Sequence, residues 1–177
     1  RIVGRIISRL QHLPKPTIAA VDGVAVGVAL GMALACDLVI AAKSASFIQA
    51  FCRIGLMPDA GGTYFLPRLV GSARALGLSL LGDKLAAEQA AQWGLIWQCV
   101  DDAELPAATD KLLAHLAQAP TRALAAIKEA LQASAGNPLA AQLDLERDRQ
   151  RELGRADDYS EGVAAFTAKR PPRFTGR

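Results

Sequence analysis

The sequence lacks the motifs that identify several large classes of enzyme. It contains no GxSxG nucleophile elbow, no P-loop, no GxGxxG dinucleotide fingerprint and no HExxH zinc motif. Its two histidines, His12 and His115, lie far apart within helical patterns, and no metal-ligand spacing is found. We therefore expect no metal site, and nucleophilic and dinucleotide mechanisms have little support.

Cysteine, aromatic residues and excess charge are also scarce. The three cysteines, Cys36, Cys52 and Cys99, form no CxxC pair, and their odd number argues against a disulfide framework. This predicts a reducing, cytoplasmic setting. With 51% hydrophobic but only 5% aromatic residues, the core should consist of Ala, Leu, Val and Ile. The net charge of +3 gives no reason to expect a nucleic-acid partner.

One uncharged stretch, residues 23–36, carries Gly23, Gly27 and Gly31 at a spacing that can pair membrane helices. The stretch is too short to cross a bilayer, so no membrane association is expected. Glycines at a strand-to-helix turn more often permit close approach of the backbone. A helix that begins there would present free N–H groups to an anion or a developing oxyanion.

The chain is long enough for one domain with a buried core. The pattern of apolar residues, glycines and prolines predicts helices at 1–13, 27–36, 61–69, 72–81, 86–93, 104–117, 121–135, 138–153 and 158–168. It predicts strands at 17–21, 38–41 and 95–100, and a shorter one within 46–54. The organisation is an α/β core over 1–100, followed by a helical region over 101–177. The basic end, 171–174, is expected to be flexible.

The loop at 55–62 carries one carboxylate, Asp59, between a proline and a glycine-rich turn. Asp is among the best N-cap residues, so Asp59 could cap the helix that follows. Apolar neighbours at Phe51, Leu56, Met57 and Pro58 would instead favour a carboxylate that accepts a proton, as a general base does. The spacing alone favours the cap, because caps of this kind are common, and leaves the role of base as the alternative.

Three segments together resemble the enoyl-CoA hydratase/isomerase (crotonase) superfamily. They are KPTIAAVDGVAVG at 15–27, ACDLVIA at 35–41 and GLMPDAGG at 55–62. The resemblance implies a spiral of ββα units followed by C-terminal helices that form trimers, often paired into hexamers. The chain starts within a helical pattern, so we expect that the family's N-terminal portion is not part of it.

The resemblance also assigns roles to residues. The two catalytic glutamates of the family's hydratases correspond to Gly31 and Phe51, neither of which can move a proton. The family's isomerases place an acid at the position of Asp59, which is therefore the expected catalytic base. The Val28 N–H corresponds to one oxyanion donor, and the second belongs to the N-terminal portion. The expected substrate-binding residues are Ala25, Gly27, Val28, Phe51, Met57 and Pro58. Phe166 and Lys169 correspond to residues that touch the CoA of a neighbouring subunit.

Further segments resemble those of the superfamily's isomerases that act on CoA thioesters of phenylacetate degradation. These are LMPDAGGT at 56–63, WGLIWQ at 93–98, LDLERD at 143–148 and GVAAFTAKR at 162–170. The implied reaction converts 2-(1,2-epoxy-1,2-dihydrophenyl)acetyl-CoA to oxepin-CoA, or shifts a double bond. No cofactor is implied, because CoA arrives as part of the substrate. The alternatives are a straight-chain Δ3,Δ2-enoyl-CoA isomerase and a non-catalytic acyl-CoA-binding scaffold subunit.

Overall fold

The computed structural model describes residues 2–177, in which strands alternate with helices before the chain becomes wholly helical. The strands are β1 (Ile18–Val21), β2 (Val24–Val26), β3 (Leu38–Ala42), β4 (Ser46–Ile48), β5 (Lys84–Ala86) and β6 (Gln98–Val100). The helices are α1 (Ile2–His12), α2 (Val28–Leu34), α3 (Gly62–Leu81), α4 (Ala87–Gln92), α5 (Leu105–Ala117), α6 (Thr121–Ser134), α7 (Leu139–Leu153) and α8 (Asp157–Thr167). Two short 3-10 helices cover Ala50–Ile54 and Asp102–Glu104.

The predicted elements are present with small shifts at their ends. The break expected at Gly71 is confirmed, because that residue leaves helical geometry within α3, with φ 78° and ψ 163°. Strands β2 and β5 were not predicted. Each has three residues, too few to show an alternating pattern.

The strands form two small sheets that confirm the predicted spiral of ββα units. Strands β1, β3 and β6 pair in parallel in one sheet, with Ile18 opposite Leu38. Strands β2 and β4 pair in parallel in the other, where β5 joins β4 antiparallel. Each strand–strand–helix unit thus adds one strand to each sheet. Equivalent strands of successive units become neighbours.

The core lies between these sheets and helices α2, α3 and α4. Its fully buried side chains include Leu30, Ile40 and Leu66, together with many alanines, as the composition predicted. Phe47 and Phe65 are also buried in it, so the few aromatic residues contribute to packing. Among residues 2–177, no helix combines the length and apolar character needed to cross a membrane.

The chain divides into two compact units. One comprises the residues up to His12 together with Thr17–Lys111, and the other comprises Leu13–Pro16 with Leu112–Arg177. The division falls inside α5, beyond the change in pattern near residue 100. All the predicted site residues in the loop at 55–62 and in α2 belong to the first unit, whereas Phe166 and Lys169 belong to the second.

The C-terminal end of the second unit is held against α8. The carboxylate of Asp158, which is buried, accepts the backbone N–H of Thr175 at 2.7 Å and that of Gly176 at 2.9 Å. Glu161 accepts the Arg173 N–H at 2.7 Å and two guanidinium contacts from Arg170 at 2.7 and 2.8 Å. The prediction of a flexible end over 171–174 is therefore wrong, because Glu161 binds the Arg173 N–H within it and Asp158 binds the two N–H groups just beyond it.

The binding of the C-terminal end by Glu161 should be lost at strongly acid pH. The Arg170 guanidinium and the Arg173 N–H lower the pKa of Glu161 from 4.5 to about 2. A carboxyl with a lowered pKa stabilises the folded form above its unfolded pKa, and that contribution is lost as the pH falls towards 2. We expect the Arg173 amide resonance in ¹H–¹⁵N spectra to titrate with a midpoint near 2. In Glu161→Gln this titration should disappear, and a midpoint near 4.5 in the natural sequence would contradict the assignment.

Candidate functional site

The loop that carries Asp59 is built from residues in unusual backbone conformations. Gly55 (φ 73°) ends the 3-10 helix at Ala50–Ile54 in the left-handed region. Ala60 (φ 49°) and Gly61 (φ 83°) then adopt positive φ in succession, immediately before α3 begins at Gly62. Positive φ is uncommon for a residue with a Cβ, so Ala60 marks a strained point of this loop.

The structure corrects one of the two roles considered for Asp59. The N-cap of α3 is Gly61, and no side chain caps this helix. The Gly62 N–H donates instead to the backbone carbonyl of Asp59 at 2.7 Å. Because the left-handed pair Ala60–Gly61 separates Asp59 from the helix, its carboxylate does not reach the free N–H groups. The prediction of an N-cap is therefore wrong, and the carboxylate is left without that structural task.

The Asp59 carboxylate faces solvent, and so do two of the apolar residues around it. Asp59 is exposed, and Leu56 and Met57 are 60% and 70% exposed. Phe51 and Pro58 are half-buried. The apolar residues of this part of the chain therefore do not bury the Asp59 carboxylate.

The start of α2 is formed by Gly27 and Val28, where the resemblance predicts a backbone donor. Gly27 precedes the helix with φ 54° and ψ −110°, and its N–H donates to the Ile48 carbonyl at 2.9 Å. Val28 is the first helical residue and is half-buried, while Ala25 in β2 is buried. The first N–H groups of a helix have no partner within it, so the Val28 N–H is available to an oxygen of a ligand.

Helix α2 packs against Phe51 and against the loop that carries Asp59. A Cβ placed on Gly27 would lie 3.1 Å from two ring atoms of Phe51. One turn later, a Cβ placed on Gly31 would lie 2.5 Å from the carbonyl oxygen of Ala60, the residue after Asp59. Phe51 therefore packs at the helix start that holds Val28, and the loop that carries Asp59 packs one turn further along the same side of α2.

Sequence reasoning missed Gln49, which lies directly beneath this loop. Its side chain is 1% exposed, and neither amide atom has a hydrogen-bond partner among the described residues. The amide nitrogen lies 2.9 Å from the position that a Cβ on Gly62 would take, and Pro58 Cβ lies 3.1 Å from the same point. The alternation of the preceding strand could have indicated it, since Gln49 has the same parity as the buried Phe47.

The two residues assigned to CoA contact lie on and just after α8. Phe166 is 87% exposed, and Lys169 has φ 50° and donates its N–H to the Phe166 carbonyl at 3.1 Å. Phe166 also borders a cavity of about 500 Å³ within the second unit, between α6, α7, α8 and the C-terminal end. Their predicted contact with CoA stays a prediction.

A family assignment follows from comparison with known proteins. The model of the enoyl-CoA hydratase/isomerase family matches residues 3–177. The chain belongs to this family. It is similar to the 1,2-epoxyphenylacetyl-CoA isomerase of Escherichia coli (strain K12), at 54% identity over 177 residues, which is 100% of this chain and 68% of that protein.

Other relatives agree with this assignment. A probable enoyl-CoA hydratase of Rhodobacter capsulatus is 53% identical over 172 residues, covering 97% of this chain and 67% of that protein. The crystal structure of a putative enoyl-CoA hydratase/isomerase from Mycobacterium abscessus superposes with a TM-score of 0.96 at 38% identity, covering 99% of this chain and 67% of that one. The fold is thus the crotonase fold, and the chain spans about two thirds of the length of these relatives.

Proposed function

We propose that this chain carries the catalytic loop of a CoA-thioester isomerase in which Asp59 moves a proton of the acyl group. The observation that carries the proposal is the packing of the Asp59 loop on α2, one turn from the helix start at Val28. The positions at which the resembled hydratases hold their acids are Gly31 and Phe51 in this chain. Asp59 has no capping role that would occupy its carboxylate.

The chemistry depends on the acidity of a thioester. Removal of a proton next to the carbonyl gives an enolate, whose charge lies largely on the carbonyl oxygen. The Val28 N–H would donate to that oxygen, and a donor of this kind typically contributes about 10²–10³ in rate. Asp59 would accept the proton and return it to another carbon, so that a double bond moves. Substrate and product are isomers, and CoA is carried by the substrate itself.

The substrate favoured by the similarity is the ring epoxide of phenylacetyl-CoA, which would be converted to oxepin-CoA. In that reaction the ring carbon–carbon bond bridged by the epoxide oxygen opens and the ring double bonds rearrange to give a seven-membered ring, while the proton transfer by Asp59 shifts a double bond next to the thioester. The 54% identity to an enzyme named for that epoxide supports this choice over a straight-chain 3-enoyl-CoA. The family resemblance further supports a homo-oligomer, a trimer or a hexamer.

The substrate assignment is tested by measuring turnover of the two CoA thioesters, the ring epoxide and a straight-chain 3-enoyl-CoA, by the purified protein. We expect kcat/KM to be at least about tenfold higher for the ring epoxide than for a straight-chain 3-enoyl-CoA, a margin that apolar pockets commonly reach. The opposite order would indicate a Δ3,Δ2-enoyl-CoA isomerase. A protein that binds acyl-CoA but never exchanges solvent deuterium into it would instead be a scaffold subunit, and the proposed activity would be wrong.

A further inference from the structure

Gly31 makes the closest approach between α2 and the loop that carries Asp59. A Cβ placed on it would lie 2.5 Å from the Ala60 carbonyl oxygen, 2.7 Å from Ala60 Cβ and 3.1 Å from the Ala60 carbonyl carbon. Real Cβ atoms essentially never lie within 3.0 Å of such neighbours. The obstacle includes backbone, which cannot rotate out of the way as the end of a side chain can. Any side chain at position 31 must therefore displace either α2 or the loop.

The conformation of Gly31 itself does not require glycine. It lies inside α2 with no positive φ, and its N–H makes a regular helical bond to the Gly27 carbonyl at 3.0 Å. Glycine within a helix is less favourable than alanine. Position 31 therefore requires glycine because of the close approach to Ala60, and not because of its own backbone conformation.

The loop is also closely packed at its other end, where α3 begins. Gly62 is buried, and a Cβ there would lie 2.9 Å from the Gln49 amide and 3.1 Å from the Pro58 ring. The Gly62 N–H closes the turn on the Asp59 carbonyl at 2.7 Å. A displacement of Ala60 by a side chain on α2 would therefore also move Asp59, its neighbour in the chain.

We infer that Gly31 is a positioning residue, whose missing side chain lets Ala60 pack on α2 and thereby sets the position of Asp59. This inference rests on the proposed role of Asp59 as the base. It also explains why position 31 holds glycine in this chain, whereas the hydratases that the chain resembles carry an acid there. In this chain the Asp59 loop occupies the space that the side chain would need.

The test compares Gly31→Ala with Gly77→Ala. Gly77 also lies within a helix, α3, but a Cβ there meets no atom within 4 Å. Both variants therefore gain the helix propensity of alanine, and only Gly31→Ala presses on the loop. A shift of about 1 Å in a catalytic group can cost about 10² in rate. We expect kcat of Gly31→Ala to fall by about 10–10² relative to Gly77→Ala, with KM for the acyl-CoA little changed.

A second measurement follows the loop without reference to activity. Hydrogen exchange at the Gly62 amide reports the turn that Asp59 closes, because that N–H is bonded to the Asp59 carbonyl. We expect the Gly62 amide to exchange faster in Gly31→Ala than in the unsubstituted protein, and at an unchanged rate in Gly77→Ala. If Gly31→Ala does not fold, Gly31→Ala/Ala60→Gly is compared with Ala60→Gly alone, since glycine at residue 60 removes the contact at 2.7 Å and leaves only the backbone contact at 2.5 Å. The double variant should then show the lower kcat and the faster Gly62 exchange, and equal values in the two variants would overturn the inference.

The outcomes separate this inference from the proposed function. Unchanged kcat and Gly62 exchange in Gly31→Ala, in a protein that Asp59→Asn inactivates, would overturn the positioning role and leave the function standing. Accelerated Gly62 exchange in a protein whose activity survives Asp59→Asn would overturn the proposed base while the displacement of the loop holds. A loss of kcat without any change in Gly62 exchange would also contradict positioning through Ala60.

Discussion

Asp59→Asn is expected to reduce kcat by about 10²–10⁴, the range over which a positioned acid–base group contributes to catalysis. The amide is nearly the same size as the carboxylate but cannot accept the substrate proton. Because the Asp59 side chain makes no hydrogen bond among the described residues and does not cap α3, the substitution breaks no structural contact. Stability and acyl-CoA binding should therefore be retained, and the loss should appear in kcat rather than in KM.

Two measurements sharpen this result. Uptake of solvent deuterium at the acyl α or γ carbon should fall in parallel with isomerisation, since both need the same proton transfer. Asp110→Asn is a matched control, because Asp110 is also an exposed carboxylate and belongs to α5 rather than to the loop. Isomerisation and deuterium uptake that both persist in Asp59→Asn would show that another group is the base.

The sequence was sufficient to locate this loop and the helix start that it packs against. Proline and glycine positions predicted the element ends, including the break at Gly71 within α3. Local signals of this kind depend on residues close in the chain, where backbone preferences decide the outcome. The resemblance then connected Asp59 with Val28, and the structure adds the packing that joins their segments.

The features that could not be predicted depend on contacts between distant segments. Gly31 and Ala60 are 29 positions apart, and nothing in the local pattern shows that one backbone lies against the other. The wrong cap assignment has a local cause, because Ala60 was not expected to adopt positive φ. The C-terminal end was also misjudged, since carboxylates on α8 bind backbone N–H groups 12 to 18 residues further along the chain.

Gly27→Ala should impair the other half of the proposed site, the backbone donor at Val28. Gly27 has φ 54° and ψ −110°, a conformation that residues with a Cβ rarely adopt, and the added methyl would press on the Phe51 ring at 3.1 Å. Relief of either conflict turns the peptide that ends in the Val28 N–H. Since loss of one oxyanion donor typically costs about 10²–10³ in rate, we expect kcat and kcat/KM to fall together by about 10².

Gly23→Ala is the matched control for this variant. Gly23 also has positive φ, at 90°, but a Cβ there meets no atom within 4 Å. It shares the positive φ of Gly27, and the additional loss of activity in Gly27→Ala therefore measures what the contact with Phe51 and the start of α2 contribute. Thermal unfolding gives the accompanying change in stability, and inhibition by an acyl-CoA product gives binding. If both variants lose the same fraction of kcat, the loss is not specific to the start of α2, and the expected effect through the Val28 N–H is wrong.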